Sequence, residues 1–172
     1  MTIQKSLVIL KPDAVERGLV GRILERFENA GLRLAAMRMA VTDAEDMRRH
    51  YGDWVERYSE RLGKELATST YKEIVKYMTS GPNILMVLEG VSAVAVVRKI
   101  VGATYPNEAL PGTIRGDFAH VTQAYANNEG MSVKNLIHAS GSVEEAELEI
   151  AAWFKPDELI DYEPVHFKHT RR

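Results

Sequence analysis

Blocks of apolar residues divide this chain into short predicted elements. Ser6 to Leu10 is a continuous apolar run, the pattern of a strand buried on both faces, and Lys11-Pro12-Asp13 ends it. Leu19, Val20, Ile23, Leu24 and Phe27 form one stripe at helical spacing, stopped by Ala30-Gly31. Leu32 to Val41 alternates as a strand, with a phase slip at Ala35-Ala36 that predicts a bulge and with Arg33 and Arg38 facing outward. Thr42-Asp43-Ala44-Glu45 reads as a capping box opening a helix that runs to about Tyr51. Thr70-Tyr71-Lys72-Glu73 reads as the cap of the next helix, carrying Ile74, Val75 and Met78 and ending at Ser80-Gly81-Pro82.

Ile84 to Leu88 is a second doubly buried strand. Ser92 is the expected cap of a helix with Val94, Val97 and Ile100 on one face, ended by Gly102. Ala103 to Gln123 is long and irregular, as functional loops often are. Val133 to His138 is the last predicted strand. Ser142-Val143-Glu144-Glu145 then caps a helix with Val143, Ala146, Ile150, Trp153 and Phe154 inward, and Pro156 opens a final turn. Residues 52–70 and 119–132 read as extended loops, and 163–172 as a basic, mobile tail, within one domain spanning 1–172. Four strands with helices between them predict an α/β (α+β) fold. Its form is a ferredoxin-like split βαβ sandwich, a four-stranded antiparallel sheet with helices packed on it.

Composition narrows the chemistry. The 172 residues, 45% hydrophobic and 27% charged, are ordinary for a globular protein. A net charge of −2 offers no basic field for nucleic acid, and no specific nucleic acid is expected as a partner. With no cysteine there is no disulfide, thiolate nucleophile or cysteine-held metal. Met1 to Lys11 does not read as a secretion signal, and no apolar run is long enough to span a membrane, so a cytoplasmic location is expected. Phosphate-loop, dinucleotide-fingerprint and nucleophile-elbow motifs are absent. His166 and His169 have metal-like spacing but no third ligand nearby in the sequence.

What remains is a histidine among cations. His138 ends an apolar run just before a helix start, a setting suited to phosphate. Lys11 follows the first strand, Arg98 sits before the long loop, and Thr104 and Arg115 lie in it, Arg115 between Gly112 and Gly116. Glycines allow close backbone approach, and arginine suits bidentate contact with phosphate. An imidazole with a pKa near 6.5 can accept a phosphoryl group at neutral pH and split one transfer into two. Glu149, about two turns into the last helix, can reach back with Ser140 to orient the ring.

These segments resemble a known family. Lys11-Pro12-Asp13, Arg17-Gly18-Leu19-Val20-Gly21, His50-Tyr51, the run from Lys76 to Pro82, the run from Pro111 to Phe118, and Asn135-Leu136-Ile137-His138-Ala139-Ser140 stand in the order found in nucleoside diphosphate kinases. The resemblance implies transfer of a γ-phosphoryl group from a nucleoside triphosphate to a nucleoside diphosphate, by ping-pong. It implies His138 as the phosphorylated nucleophile, with Glu149 and Ser140 holding it and Tyr51 beside the phosphoryl site. Lys11 and Asn135 would meet the sugar, and Lys11 also the transferring group. Arg98, Thr104 and Arg115 would hold phosphates. Mg²⁺ would arrive on the nucleotide rather than on protein side chains, and the chain would form a homo-oligomer, hexamer or tetramer.

Three positions depart from the family pattern. The usual Pro-Phe-Phe segment, whose phenylalanine stacks on the base, is replaced by Thr68-Ser69-Thr70-Tyr71, which makes Tyr71 the expected stacking residue. Gly141 stands for a common aspartate and Ala139 for a common glycine. These changes motivate the rival reading, a non-catalytic nucleotide-binding or interaction module on the same fold.

Overall fold

A computed structural model describes residues 2–170. Its centre is β1 (Ile3–Leu10), which pairs antiparallel with both β3 (Pro82–Val91) and β4 (Ile137–Ala139). β2 (Arg33–Val41) pairs antiparallel with β3, giving the order β2-β3-β1-β4. This is the split βαβ order expected. The register shift between Leu34 and Ala36 is the predicted bulge.

Each central strand sends alternate side chains to opposite faces. Val8, Leu10, Met86 and Leu88 meet Ile23, Phe27 and Val97 from α2 (Val20–Asn29) and α6 (Ala93–Val101). Leu7, Ile9, Leu85 and Val87 meet the other layer. That layer holds Met47 of α3 (Ala44–Tyr51), Met78 of α5 (Lys64–Met78), and Ile150 and Trp153 of α9 (Val143–Trp153). Burial on both faces explains the unbroken apolar runs of β1 and β3.

Several elements differ from expectation. A short α1 (Pro12–Glu16) follows β1 directly, because Pro12 at its first turn needs no N–H partner. Residues 52–70 are helical: α4 (Trp54–Leu62) turns at Gly63 into α5, so Thr70 lies inside a helix and caps nothing. No residue of α4 is buried, so the charged sequence shows no clean apolar stripe there. Residues 103–132 carry a 3-10 turn at Pro106–Glu108, α7 (Ile114–Phe118) capped by Thr113, and α8 (Gln123–Asn128) capped by Thr122.

The last strand is three residues long rather than six. Leu136 turns the chain at φ 70°, so ladder pairing begins only at Ile137. Asp43, not Thr42, caps α3, with Asp46 closing the box; Thr42 is buried and donates to the Met78 carbonyl. Ser92 sits at the start of α6 but its side chain caps nothing. Ser142 does cap α9, accepting from the Glu145 N–H at 3.1 Å.

The tail is packed where it is described. After a 3-10 turn at Pro156–Glu158, Ile160 N–H donates to the Ala35 carbonyl at 2.8 Å. Phe167, in α10 (Phe167–Thr170), is buried, and His166 Nε2 bonds the Gly31 carbonyl at 3.2 Å. Arg171 and Arg172 of the expected tail lie outside the described residues. Among the described residues no helix is long and apolar enough to cross a membrane.

Arg33, expected to face solvent, is only 5% exposed. It pairs with buried Glu89 at 2.6 Å, reaches Asp161, and donates to the Tyr162 carbonyl at 2.7 Å. The C-terminal arm thus folds over β2 and encloses this cation. Lys5 Nζ also lies 3.4 Å from Glu89, but removing the buried guanidinium still leaves the desolvated carboxylate poorly compensated. Arg33→Met should therefore cost about 3–5 kcal/mol in chemical denaturation, and the double variant with Glu89→Leu should recover most of it. Equal stability of the single variant and wild type would refute a structural role for the pair.

Candidate active site

The candidate site lies at one end of the sheet, where β1 runs into α1 and the antiparallel β4 begins. Leu136 links the two. Its carbonyl accepts from Lys11 N–H at 2.8 Å, and its own N–H donates to Asp13 Oδ2 at 3.2 Å. Asp13 also accepts from the buried Tyr77 hydroxyl at 2.5 Å. Leu136 is fully buried with a positive φ, and these bonds hold it there.

The turn brings Asn135 onto Lys11. Lys11 Nζ donates to Asn135 Oδ1 at 2.7 Å, and Asn135 Nδ2 donates to the Thr104 carbonyl at 3.0 Å. Burial, then the nearby Arg115 charge, pull the Lys11 pKa down to about 7. Arg115 is buried and anchors two segments, 102–103 and 135–137. Nε donates to the Asn135 carbonyl, Nη2 to Ile137, and Nη1 to Gly102 and Ala103, all within 3.1 Å. Burial and Arg98 lower its pKa to about 10, so it stays cationic at neutral pH. Most of its donors are therefore spent on backbone, rather than being free for bidentate phosphate contact as the sequence suggested.

His138 pairs across the ladder with Ile9. Its Nε2 lies 2.8 Å from Glu149 Oε1, and Ser140 Oγ donates to Glu149 Oε2 at 2.6 Å. Burial pushes the Glu149 pKa up, but His138 and the two hydrogen bonds outweigh it and the net shift is downward. A carboxylate can only accept, so His138 Nε2 carries the hydrogen and Nδ1 holds the lone pair. Among the described residues no group bonds Nδ1.

These residues line a cavity of about 680 Å³ together with Tyr51, Arg98 and Thr104. Burial drives the Tyr51 pKa up, so its hydroxyl remains neutral. Five cationic side chains line the cavity (Lys11, Arg49, Arg57, Arg98, Arg115) against three carboxylates (Asp53, Glu145, Glu149). The excess suits a polyanion. All three carboxylates are already engaged. Glu149 is held as above, Asp53 pairs with Arg57 at 2.9 Å, and Glu145 accepts from Gly141 N–H at 2.9 Å and faces Arg57.

Tyr71 is not on the cavity wall. Its ring lies 6.2 Å from both Tyr51 and Trp54. Besides Tyr51, the cavity is lined by Trp54 and Tyr58 of α4, stacked at 4.4 Å and 21°. Their i,i+4 spacing puts both on one helix face, and that spacing was the available signal once 52–62 is taken as helix. His50, also absent from the expected set beyond its motif, stands edge-on to His138 with ring centroids 4.7 Å apart. At Gly141 a Cβ would lie 2.5 Å from Glu145 Oε2, so the Glu145 carboxylate occupies the space next to the missing side chain.

The sequence and the fold both match known proteins. The family model described as nucleoside diphosphate kinase matches residues 4–159. The nucleoside diphosphate kinase of Pyrobaculum aerophilum is 43% identical, over 94% of this chain and 100% of that protein. That of Borreliella burgdorferi is 42% identical, over 94% and 93%. A solved transition-state mimic of the Borrelia burgdorferi enzyme with bound vanadate and ADP superposes with a TM-score of 0.91 at 38% identity, covering 98% of this chain and 96% of that one. A halophilic nucleoside diphosphate kinase from Halobacterium salinarum in complex with CDP gives 0.79 at 33% identity, covering 98% of each. By sequence and fold, this chain belongs to the nucleoside diphosphate kinase family of phosphotransferases.

Proposed function

We propose that the chain carries out this transfer by ping-pong through a phosphohistidine at His138 Nδ1. The observation that carries the reading is the Glu149 contact, which commits Nε2 as a donor and leaves one nucleophilic nitrogen in a cation-lined cavity. Nδ1 attacks the γ-phosphorus in line. The N–P bond forms as the bond to the β–γ bridging oxygen breaks, and the diphosphate leaves with that electron pair. A second nucleoside diphosphate enters, its terminal oxygen attacks the phosphorus, and the ring regains its lone pair. Lys11, Arg98 and Arg115 supply the positive field for charge spread over the phosphoryl oxygens. Thr104 adds a polar contact, Asn135 and Lys11 meet the sugar, and Tyr51 walls the phosphoryl site. Ser140 and Glu149 hold the ring and bear the charge it gains. Mg²⁺ on the nucleotide, when bound, neutralises phosphate oxygens; the engaged carboxylates fit that mode of delivery.

The base is assigned to the Trp54–Tyr58 pair rather than to Tyr71, since stacking is worth about 1–3 kcal/mol per base and tolerates any base. The non-catalytic rival is not favoured: an aromatic wall and a carboxylate beside Gly141 are both present, and the nucleophile and its partner are intact. A cytoplasmic site of action accords with the cysteine-free composition. Homo-oligomerisation, as tetramer or hexamer, is supported by edge strand β2, which exposes Met37, Met39 (62%) and Val41 (75%).

Three outcomes are expected. First, with γ-labelled ATP and Mg²⁺, wild type takes up an acid-labile label that passes to GDP, whereas His138→Ala keeps ADP binding and loses turnover. Multiple-turnover transfer by that variant would refute the mechanism. Second, Trp54→Ala with Tyr58→Ala weakens ADP by about ten- to a hundredfold, while Tyr71→Ala leaves it unchanged. The reverse ranking in calorimetry would return the base to Tyr71. Third, Met39→Glu with Val41→Lys lowers the mass measured by ultracentrifugation; an unchanged mass would remove β2 as an interface.

A further inference from the structure

His50 is the one histidine of the site whose position the transfer leaves unexplained. Its side chain is fully enclosed, yet Nε2 has no hydrogen-bond partner among the described residues. The other nitrogen is committed, because the Trp153 indole N–H donates to His50 Nδ1 at 3.2 Å. An indole only donates, so Nδ1 must hold the lone pair and Nε2 must carry the hydrogen while the ring is neutral. Burial, then the neighbouring His138, hold the His50 pKa down to about 3, which keeps it neutral.

One alternative use of this corner fails on the same chemistry. His50, His138 and Glu149 offer ligand atoms within 4.8 Å of one another, a two-histidine, one-carboxylate set in outline. Metal binding needs a lone pair on each ligating nitrogen. Here both Nε2 atoms carry hydrogen, one fixed by Trp153 and the other by Glu149.

The His50 Nε2–H faces the carboxylate instead. It lies 3.9 Å from Glu149 Oε1, the oxygen that accepts from His138 at 2.8 Å. That is too long for a hydrogen bond but close enough to attract a buried carboxylate. We propose that Trp153 and His50 form a tautomer lock behind the nucleophile. His50, fixed by Trp153 as the Nε2–H form, keeps the Glu149 carboxylate in one orientation, and Glu149 then keeps His138 in the form whose Nδ1 is free. His50 and Trp153 act through Glu149, so both are positioning residues. The inference rests on the phosphohistidine reading.

The test pairs ¹⁵N spectroscopy of histidine-labelled protein with single-turnover phosphorylation by γ-labelled ATP. Wild type should show His50 and His138 each as a single Nε2–H tautomer. Trp153→Phe should release His50 into a mixture of tautomers. It should slow phosphorylation on the order of ten- to a hundredfold, the range for partners that orient a reactive histidine, with ADP affinity unchanged. His50→Phe should slow it similarly. His50→Gln, which returns an N–H on the same side, should recover most of the rate. Should Trp153→Phe fail to fold, as ADP binding would reveal, the comparison of His50→Phe with His50→Gln decides alone. The proposal is overturned if His50→Phe phosphorylates at the wild-type rate, if His50 carries its hydrogen on Nδ1, or if Zn²⁺ binds wild type stoichiometrically but not His50→Gln. Single tautomers in a wild type that takes no label would refute the phosphohistidine and leave the lock standing as a feature of the ring pair.

Discussion

One guanidinium holds the site together. Arg115 comes from the long loop, and its donors reach carbonyls at Gly102 and Ala103, where that loop leaves α6, and at Asn135 and Ile137, on either side of the buried turn before His138. Buried carbonyls need partners, and here one cation satisfies four of them. Without it, the short β4 would rest on a three-residue ladder with β1. The same group supplies positive charge to the cavity, so the element that builds the site also tunes it. Asp13 holds the opposite side by taking the Leu136 N–H and the Tyr77 hydroxyl.

Concentrating cations at a partly enclosed point has a cost, and the site displays it. Lys11 is pulled down to about 7 and Arg115 to about 10, each mainly by burial and then by a neighbouring cation. Such a site is strained electrostatically until a polyanion enters. Fixed charges that are relieved by the ligand's charge need no reorganisation when the phosphoryl group passes, which is how preorganised fields lower barriers. Glu149 is the counterweight: a carboxylate bonded to His138, which holds its pKa down against its own burial.

Much of this was legible along the chain because it is local. The doubly buried β1 and β3 announced themselves as apolar runs, the bulge at Ala35 as a phase slip, and the Ser142 cap as a box. The motif segments brought Lys11, Arg98, Thr104, Arg115, Asn135 and His138 to one cavity, as expected of them together. What escaped was decided at long range. Arg33 reads as an outward strand residue until the C-terminal arm covers it. Helix α4 buries no residue, so no apolar stripe marked it, and only the second half of α5, with Ile74, Val75 and Met78, was legible. The Tyr71 ring packs against Tyr51 and Trp54, a contact that depends on how α4 and α5 fold against each other. The shortness of β4 follows from the positive φ of Leu136, which no propensity of leucine suggests.

The departures from the family pattern share a physical logic. Each missing group is matched by one that a different element brings to the same region. Gly141 lacks a side chain, and the Glu145 carboxylate, one helical turn on, comes within hydrogen-bonding distance of its N–H. A Cβ at 141 would require that carboxylate to move, so the present Glu145 position goes with a glycine at 141. Glu145 also faces Arg57, which donates to the Tyr51 carbonyl and pairs with Asp53. The same α4 carries Trp54 and Tyr58. One helix thus delivers the aromatic wall and, through Arg57, ties itself to the helix behind His138. Charge, stacking surface and closure of the cavity are coupled in this chain through α4, an element with no buried residue of its own.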